Sequence, residues 1–195
     1  VHFRSIVDIY ANTEEVVGID EEENEEMLMM SEEPTCYQEA ATEACWYEAM
    51  EEELKTIEMN KTWTLTELPL GHKPIGLKWV FKLKKDSAGK VIKHKARLVA
   101  KGYVQKQGID FEEVFAPVAR LDTIRVILAL AANQGWEVHH LDVKSAFLNG
   151  ELEEEIYVTQ SEGFEIQNQK HKVYRLSKAL YGLRQAPRAW NMRLN

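Results

Sequence analysis

The sequence predicts an α+β fold with a mainly antiparallel sheet. Short runs alternate apolar and polar residues with the period of a strand, and turn residues separate them. Between and around these runs lie stretches with the 3.6-residue period of a helix, which gives an order of helix, strand, turn, strand, strand and helix. Of the 195 residues, 45% are apolar, enough for a packed core in one ordinary domain or in part of a larger one.

The elements follow in chain order. Pro34-Thr35 opens a run in which Trp46, Met50, Leu54 and Ile57 recur at helical spacing with glutamates between them, which predicts one amphipathic helix ending near Asn60. Cys36 and Cys45 would lie nine residues apart on that helix, too far along its axis to pair, and they suit a reducing compartment. Trp63, Leu65 and Leu68 mark a short strand closed by the turn Pro69-Leu70-Gly71. From Lys78 to Lys85, Trp79, Phe81 and Leu83 alternate with Val80, Lys82 and Lys84. Asp86-Ser87-Ala88-Gly89 breaks this strand, and Lys90 to Lys101 resumes extended character, so the two form a β-hairpin.

Asp122 or Thr123 can cap a helix that runs to about Asn133 and stops at Gly135. Its Ile124, Ile127, Leu128 and Leu130 to Ala132 ask for burial on most sides, beneath a sheet. Residues 136 to 142 alternate as a strand that delivers Asp142 at its far end, and Asn149-Gly150 makes a tight turn. Further strands are expected at Ile156-Tyr157-Val158 and at Val173 to Leu176. A last helix enters at Ala186-Pro187 and carries Trp190 and Leu194.

Charge is polarised along the chain. Residues 1 to 58 hold 18 of the 32 acidic residues against only Arg4 and Lys55, whereas residues 59 to 195 hold 14 acids and 22 bases. Residues 13 to 33 hold ten acidic residues and no base, with Met27-Leu28-Met29-Met30 among them, and sustain no period, so residues 1–34 read as an acidic flexible linker and 35–195 as the folded part. Such asymmetry points to a domain that meets a polyanion. No apolar run of about 18 residues occurs and no secretory start is visible, which predicts a soluble intracellular protein without a membrane span.

Residues 78 to 106 carry ten bases against Asp86 alone, interleaved with Trp79, Phe81 and Tyr103. Hairpins of this kind hold nucleic-acid phosphates; a lysine-rich edge that merely discourages strand pairing is the structural alternative. Asp142 at a strand end suits a divalent metal, with the Val143 carbonyl as a second hard oxygen and the amides of Ser145 and Ala146 close enough to meet a triphosphate. One aspartate is not enough for two-metal phosphoryl transfer, in which carboxylates hold ions roughly 3.5 to 4 Å apart. His139 and His140 point to opposite faces of an extended segment, and Glu153-Glu154-Glu155 reads as a solvated turn. Zinc spacing, a Ser/His/Asp set and a Gly-rich phosphate loop are all missing.

Taken together, several long motifs in order resemble the reverse transcriptase of copia-type LTR retrotransposons, in the style of plant elements. They are Lys78-Trp79-Val80-Phe81-Lys82, the run from Lys95 to Tyr103, the run from Phe111 to Arg120, the run from Leu141 to Gly150, and the run from Ala179 to Trp190. The resemblance begins at about Cys45, and the residues before Pro34 resemble the variable segment joining integrase to reverse transcriptase in such Pol polyproteins.

The resemblance implies the fingers and part of the palm of a right-hand polymerase, an RNA-directed DNA polymerase. It implies a nucleic-acid template and primer, deoxynucleoside triphosphates, two Mg²⁺ ions and the remainder of the Pol polyprotein as partners, in the cytoplasm (a virus-like particle) or nucleus. Asp142 would be the first catalytic, metal-binding aspartate, beside the Val143 carbonyl. Lys95 and Arg97 would hold the triphosphate with Ser145 and Ala146, and Phe147 would lie under the incoming sugar and reject a 2′-hydroxyl. Tyr181, Gly182, Gln185 and Pro187 would form the palm segment that touches the template. Family members place a Tyr/Phe-Val-Asp-Asp turn after the last helix, and this sequence has no Asp-Asp pair, so the chain alone is expected not to polymerise DNA. The alternative is a non-catalytic nucleic-acid-binding remnant.

Overall fold

The computed structural model describes residues 33–194. The linker expected over residues 1–34 lies outside them apart from its last two positions. Residues 35 to 194 fall in one compact unit, a mixed α/β architecture built on two antiparallel sheets.

The first helical stretch is two pieces, α1 (Tyr37–Ala40) and α2 (Ala44–Met59), rather than one helix. The break falls at Ala41-Thr42-Glu43. Thr42 Oγ1 donates to the Glu39 carbonyl at 2.7 Å, and Glu43 is extended at φ −115° and ψ 124°, so a local side-chain bond competes with the helical ladder. Cys36 and Cys45 therefore do not share a helix, and both are free thiols. In α2, Trp46, Met50 and Ile57 are buried as their spacing predicts. Trp46 meets Phe81 edge-on with ring centroids 5.3 Å apart.

Strand β1 (Trp63–Thr66) pairs with β5 (Val173–Lys178), which pairs in turn with β4 (Glu151–Val158). On this sheet Trp63 stacks on Tyr174 at 4.2 Å as a diagonal pair, since Trp63 faces Leu176 and Tyr174 faces Leu65, two residues along the β1–β5 pair. The second sheet is the predicted hairpin, β2 (Leu77–Lys85) with β3 (Val91–Ala100). Asp86 makes its turn: Oδ1 accepts from the amides of Ala88 and Lys90, both at 2.9 Å, and Gly89 takes a left-handed φ of +81°. Trp79 and Phe81 of β2 and Ala96, Leu98 and Ala100 of β3 are buried, so one face joins the core with α2. Lys82 opposite Lys95 and Lys84 opposite Lys93 alternate out of that core. The two sheets are stitched where Ile75 donates to the Tyr157 carbonyl at 2.8 Å and accepts from Thr159 at 3.0 Å.

Three further expectations need correction. The helix α3 (Leu121–Gln134) forms and stops at left-handed Gly135, yet it is not beneath a sheet: Val126 is 67% exposed, Ile127 55%, and only Ala131 is buried. Apolar periodicity says that a face needs a cover; it does not supply one. Residues 136 to 143 form no strand, because no described strand lies beside them to complete the hydrogen-bond ladder. Glu153 to Glu155 lie within β4 and not in a turn, at an irregular register between Glu151 and Ile156, and Glu155 accepts from the Tyr157 hydroxyl at 2.6 Å.

After a 3₁₀ turn (Ala146–Asn149) the chain enters β4, and helix α4 (Ala186–Leu194) closes against that turn. Gly150 permits the contact, since a Cβ there would lie 2.7 Å from Ala189 C and Trp190 N.

Candidate functional site

A cleft of about 460 Å³ opens between α2, the β3 side of the hairpin and the segment 142–145. Lys95, Arg97, Asp142, Val143, Ser145 and Tyr181 all line it. Residues separated by as many as 86 positions thus converge on one depression. Each is brought there by a local device.

The hairpin supplies the cations. Strand alternation puts Lys93, Lys95 and Arg97 on the face opposite Ala96 and Leu98, and the Arg97 guanidinium lies over the Tyr181 ring, 5.4 Å from its centroid. Desolvation, then the nearby Arg97 and Lys84, pull the Lys95 ammonium below its ordinary value, while Glu53 works against them. The ammonium charge of Lys95 is therefore poorly compensated there, as expected where like charges crowd together.

Ser145 supplies the bend. It sits at φ 55° and ψ 42°, the left-handed region that a residue with a side chain rarely adopts. This turns the chain from the extended Asp142 segment into the 3₁₀ turn, where Leu148 donates to the Ser145 carbonyl at 2.9 Å. Asp142 is exposed at the rim of the cleft. Its charge reaches Tyr181, whose phenol burial pushes above the usual range, with Arg97 opposing and Glu53 and Asp142 adding to the shift.

The remaining predicted residues stand behind the cleft. Phe147 is half-buried and packs edge-on against Tyr181 at 4.9 Å, so it reaches the cleft through that ring, and Ala146 begins the 3₁₀ turn beside it. Gly182 takes φ +90°, and a Cβ there would collide with the Ala100 carbonyl and the Val99 side chain. The Tyr181 carbonyl accepts from the Ala100 amide at 2.8 Å, so the Tyr181-Gly182 turn is bolted to the end of the hairpin. Pro187 is exposed in the first turn of α4, where its missing N–H costs nothing.

Gln185 differs from its expected place in the template-facing segment. It is 2% exposed; its amide nitrogen donates to the Asp110 carbonyl at 3.2 Å and its oxygen accepts from Gln105 at 3.1 Å. Gln105 in turn accepts from the Arg184 amide at 2.9 Å. With both ends of its side chain engaged inside the fold, Gln185 holds the segment in place and cannot offer its amide to a template.

Two acidic residues enter the site that motif reading missed. Glu52 meets Lys93 at 2.8 Å, and that hydrogen bond holds its carboxyl below the usual range. Glu53 lines the cleft. Burial pushes its carboxyl above the ordinary value, offset in part by the Leu98 amide, Lys95 and Arg97. A signal for Glu53 exists in the sequence: positions 46, 50, 53 and 57 form one helical stripe, and the other three members are the buried Trp46, Met50 and Ile57. A carboxylate inside an apolar stripe is the informative exception.

The metal donors are sparse. Asp142 brings one carboxylate and Val143 one carbonyl, and among the described residues no group of three or more His, Cys, Asp or Glu side chains could hold an ion. His139 and His140 are both exposed, and His139 lies 3.6 Å from Glu137. The described residues by themselves do not fit a two-Mg²⁺ centre.

The family described as Reverse transcriptase (RNA-dependent DNA polymerase) matches residues 60–195, which takes in the hairpin, the Asp142 segment and the Tyr181 turn. The chain belongs to the reverse transcriptase family, in its copia-type branch. The Retrovirus-related Pol polyprotein from transposon TNT 1-94 of Nicotiana tabacum is 49% identical over 186 residues, 95% of this chain and 14% of that polyprotein. The Pol polyprotein from transposon RE1 of Arabidopsis thaliana is 41% identical over 168 residues, 86% of this chain and 12% of its own length. The transposon Ty1-H Gag-Pol polyprotein of Saccharomyces cerevisiae is 28% identical over 156 residues, 74% of this chain and 8% of its own. This reverse transcriptase chain therefore spans about one seventh or less of these relatives. No solved structure matches it. Among the described residues no helix is long and apolar enough to cross a membrane.

Proposed function

We propose that this chain is a reverse transcriptase segment of a copia-type Pol polyprotein whose basic cleft receives the polyphosphate of an incoming deoxynucleoside triphosphate at the end of a template-primer. The observation that carries the reading is the convergence of Lys95 and Arg97 from the hairpin with Asp142, Val143, Ser145 and Tyr181 from distant segments on one cleft. On this reading the hairpin belongs to the fingers and the Asp142 and Tyr181 segments to the palm of a right-hand polymerase.

Lys95 and Arg97 neutralise phosphate oxygens, with Arg97 fixed in direction by its seat over Tyr181. The backbone at Ser145 and Ala146, turned by the left-handed Ser145, presents amides toward the same ligand. Phe147 braces Tyr181 and through it sets the space under the sugar, the basis for rejecting a 2′-hydroxyl. Gly182 and Pro187 shape the template side, and Gln185 anchors it from within. When bound, Mg²⁺ would supply charge neutralisation at the reacting phosphate, and Asp142 would contribute one of several carboxylates to it. The others are not among the described residues, so the 195 residues alone are proposed to bind but not to extend a primer.

Tripolyphosphate binding by calorimetry tests the cleft. Replacing Lys95 and Arg97 together by alanine should weaken it at least about tenfold, the loss of roughly 1.5 to 3 kcal/mol expected of charge-assisted bonds. Unaltered affinity would remove the cleft from nucleotide binding and leave the hairpin as a solvated edge. Primer extension by the chain alone with Mg²⁺ and four deoxynucleotides should stay at background; robust extension would contradict the incomplete metal centre.

A further inference from the structure

We propose that Glu53 is a built-in competing anion whose carboxylate faces Lys95 and Arg97 across the cleft and must be outcompeted when a polyphosphate binds. The inference rests on the reading of the cleft as a polyphosphate site and adds a residue outside the segments that define that site.

Four observations place Glu53 in this role. It lines the same cleft as Lys95, Arg97 and Asp142. It sits on the buried stripe of α2, between Met50 and Ile57, both completely buried, so the helix cannot swing it out to solvent without unpacking the core. Among the described residues it has no ion pair within the salt-bridge distance that joins its neighbour Glu52 to Lys93 at 2.8 Å, so the Leu98 amide bonds it while its charge is opposed to Lys95 and Arg97 across a gap. Desolvation also outweighs its attraction to Lys95, Arg97 and the Leu98 amide, so the ionised carboxylate is poorly compensated where it stands. A group packed in place, half withdrawn from water and facing two cations repels a second anion arriving at those cations.

The test uses the full 195-residue chain, sodium tripolyphosphate as the probe in isothermal calorimetry, and thermal melting in parallel. Glu53→Gln keeps the shape and removes the charge; it should tighten tripolyphosphate binding about fivefold, the size of a partly screened charge contact, without lowering the melting midpoint. Glu53→Asp, which keeps the charge, should bind within about twofold of the parent protein on the same grounds. Unchanged or weaker binding by Glu53→Gln would overturn the proposal, and so would a lowered midpoint with unchanged binding, which is the mark of a purely structural partner. The underlying reading fails separately. If the parent protein binds tripolyphosphate no better than the Lys95→Ala/Arg97→Ala variant, the cleft itself is misassigned and both inferences fall.

Discussion

Gly182 leaves no room for a side chain. Its φ of +90° is one that residues with a Cβ rarely hold, and an added methyl would meet the Ala100 carbonyl; Gly102 faces the same turn from the other side, where a methyl would meet the Gly182 carbonyl. Gly182→Ala should therefore cost about 2 kcal/mol or more, seen as an earlier urea midpoint, whereas Gly71→Ala, with open space around it, should cost only backbone strain. Equal losses at the two sites would remove the packing argument. Glu53 makes a prediction in pH. Its folded pKa lies above the unfolded one, so the folded chain holds that proton more tightly, and ionising it weakens the fold as pH rises through the ordinary carboxylate value toward the raised one. Below that window Glu53→Gln should match the parent in stability, and at neutral pH it should be the more stable; urea titrations at the two pH values decide.

Among the elements, the hairpin, β5, the Ile156–Val158 end of β4 and the entry of α4 were readable because each carries a local signal of its own. Asp86 and Gly89 announce the hairpin turn in sequence and make it in the fold. The segment 136–143 carries the same alternating signal and forms no strand, since a strand is a relation between two chains of hydrogen bonds and a sequence states only one of them. Helix α3 teaches the complementary point: its end follows from Gly135, but its N-cap is Arg120 with no side-chain cap, not Asp122 or Thr123, and its apolar face is exposed. Val126→Lys with Ile127→Lys should change unfolding free energy by less than about 0.5 kcal/mol, because little area leaves the core, while lowering binding of a hydrophobic dye and raising solubility. A marked loss of stability would mean that this face is covered in solution. In the site itself, Lys95, Arg97, Asp142 and Tyr181 were legible from motifs, whereas Glu53 was hidden because it belongs to a helix whose other stripe positions advertise packing.

At the scale of the whole molecule, charge is the organising quantity. The net −8 conceals a basic second part, and the cleft gathers Lys84, Lys93, Lys95 and Arg97 with Glu52 and Glu53 opposite. If phosphates bind there, affinity for a primer-template should fall steeply with added salt through counterion release, by roughly 0.9 log units per log unit of salt for each phosphate neutralised on a duplex. A flat response measured by fluorescence anisotropy would rule out phosphate contact as the source of affinity.

The joint between the hairpin's end and the Tyr181 turn is made by Gln105, Gln185 and main-chain groups. None of these takes up or releases a proton between mild acid and mild alkali, so the joint is blind to acidity. A response of ligand capture to acidity would then arise outside this joint, in the groups around the depression or in the phosphate ligand itself, so acidity becomes an experimental handle that spares this part of the frame.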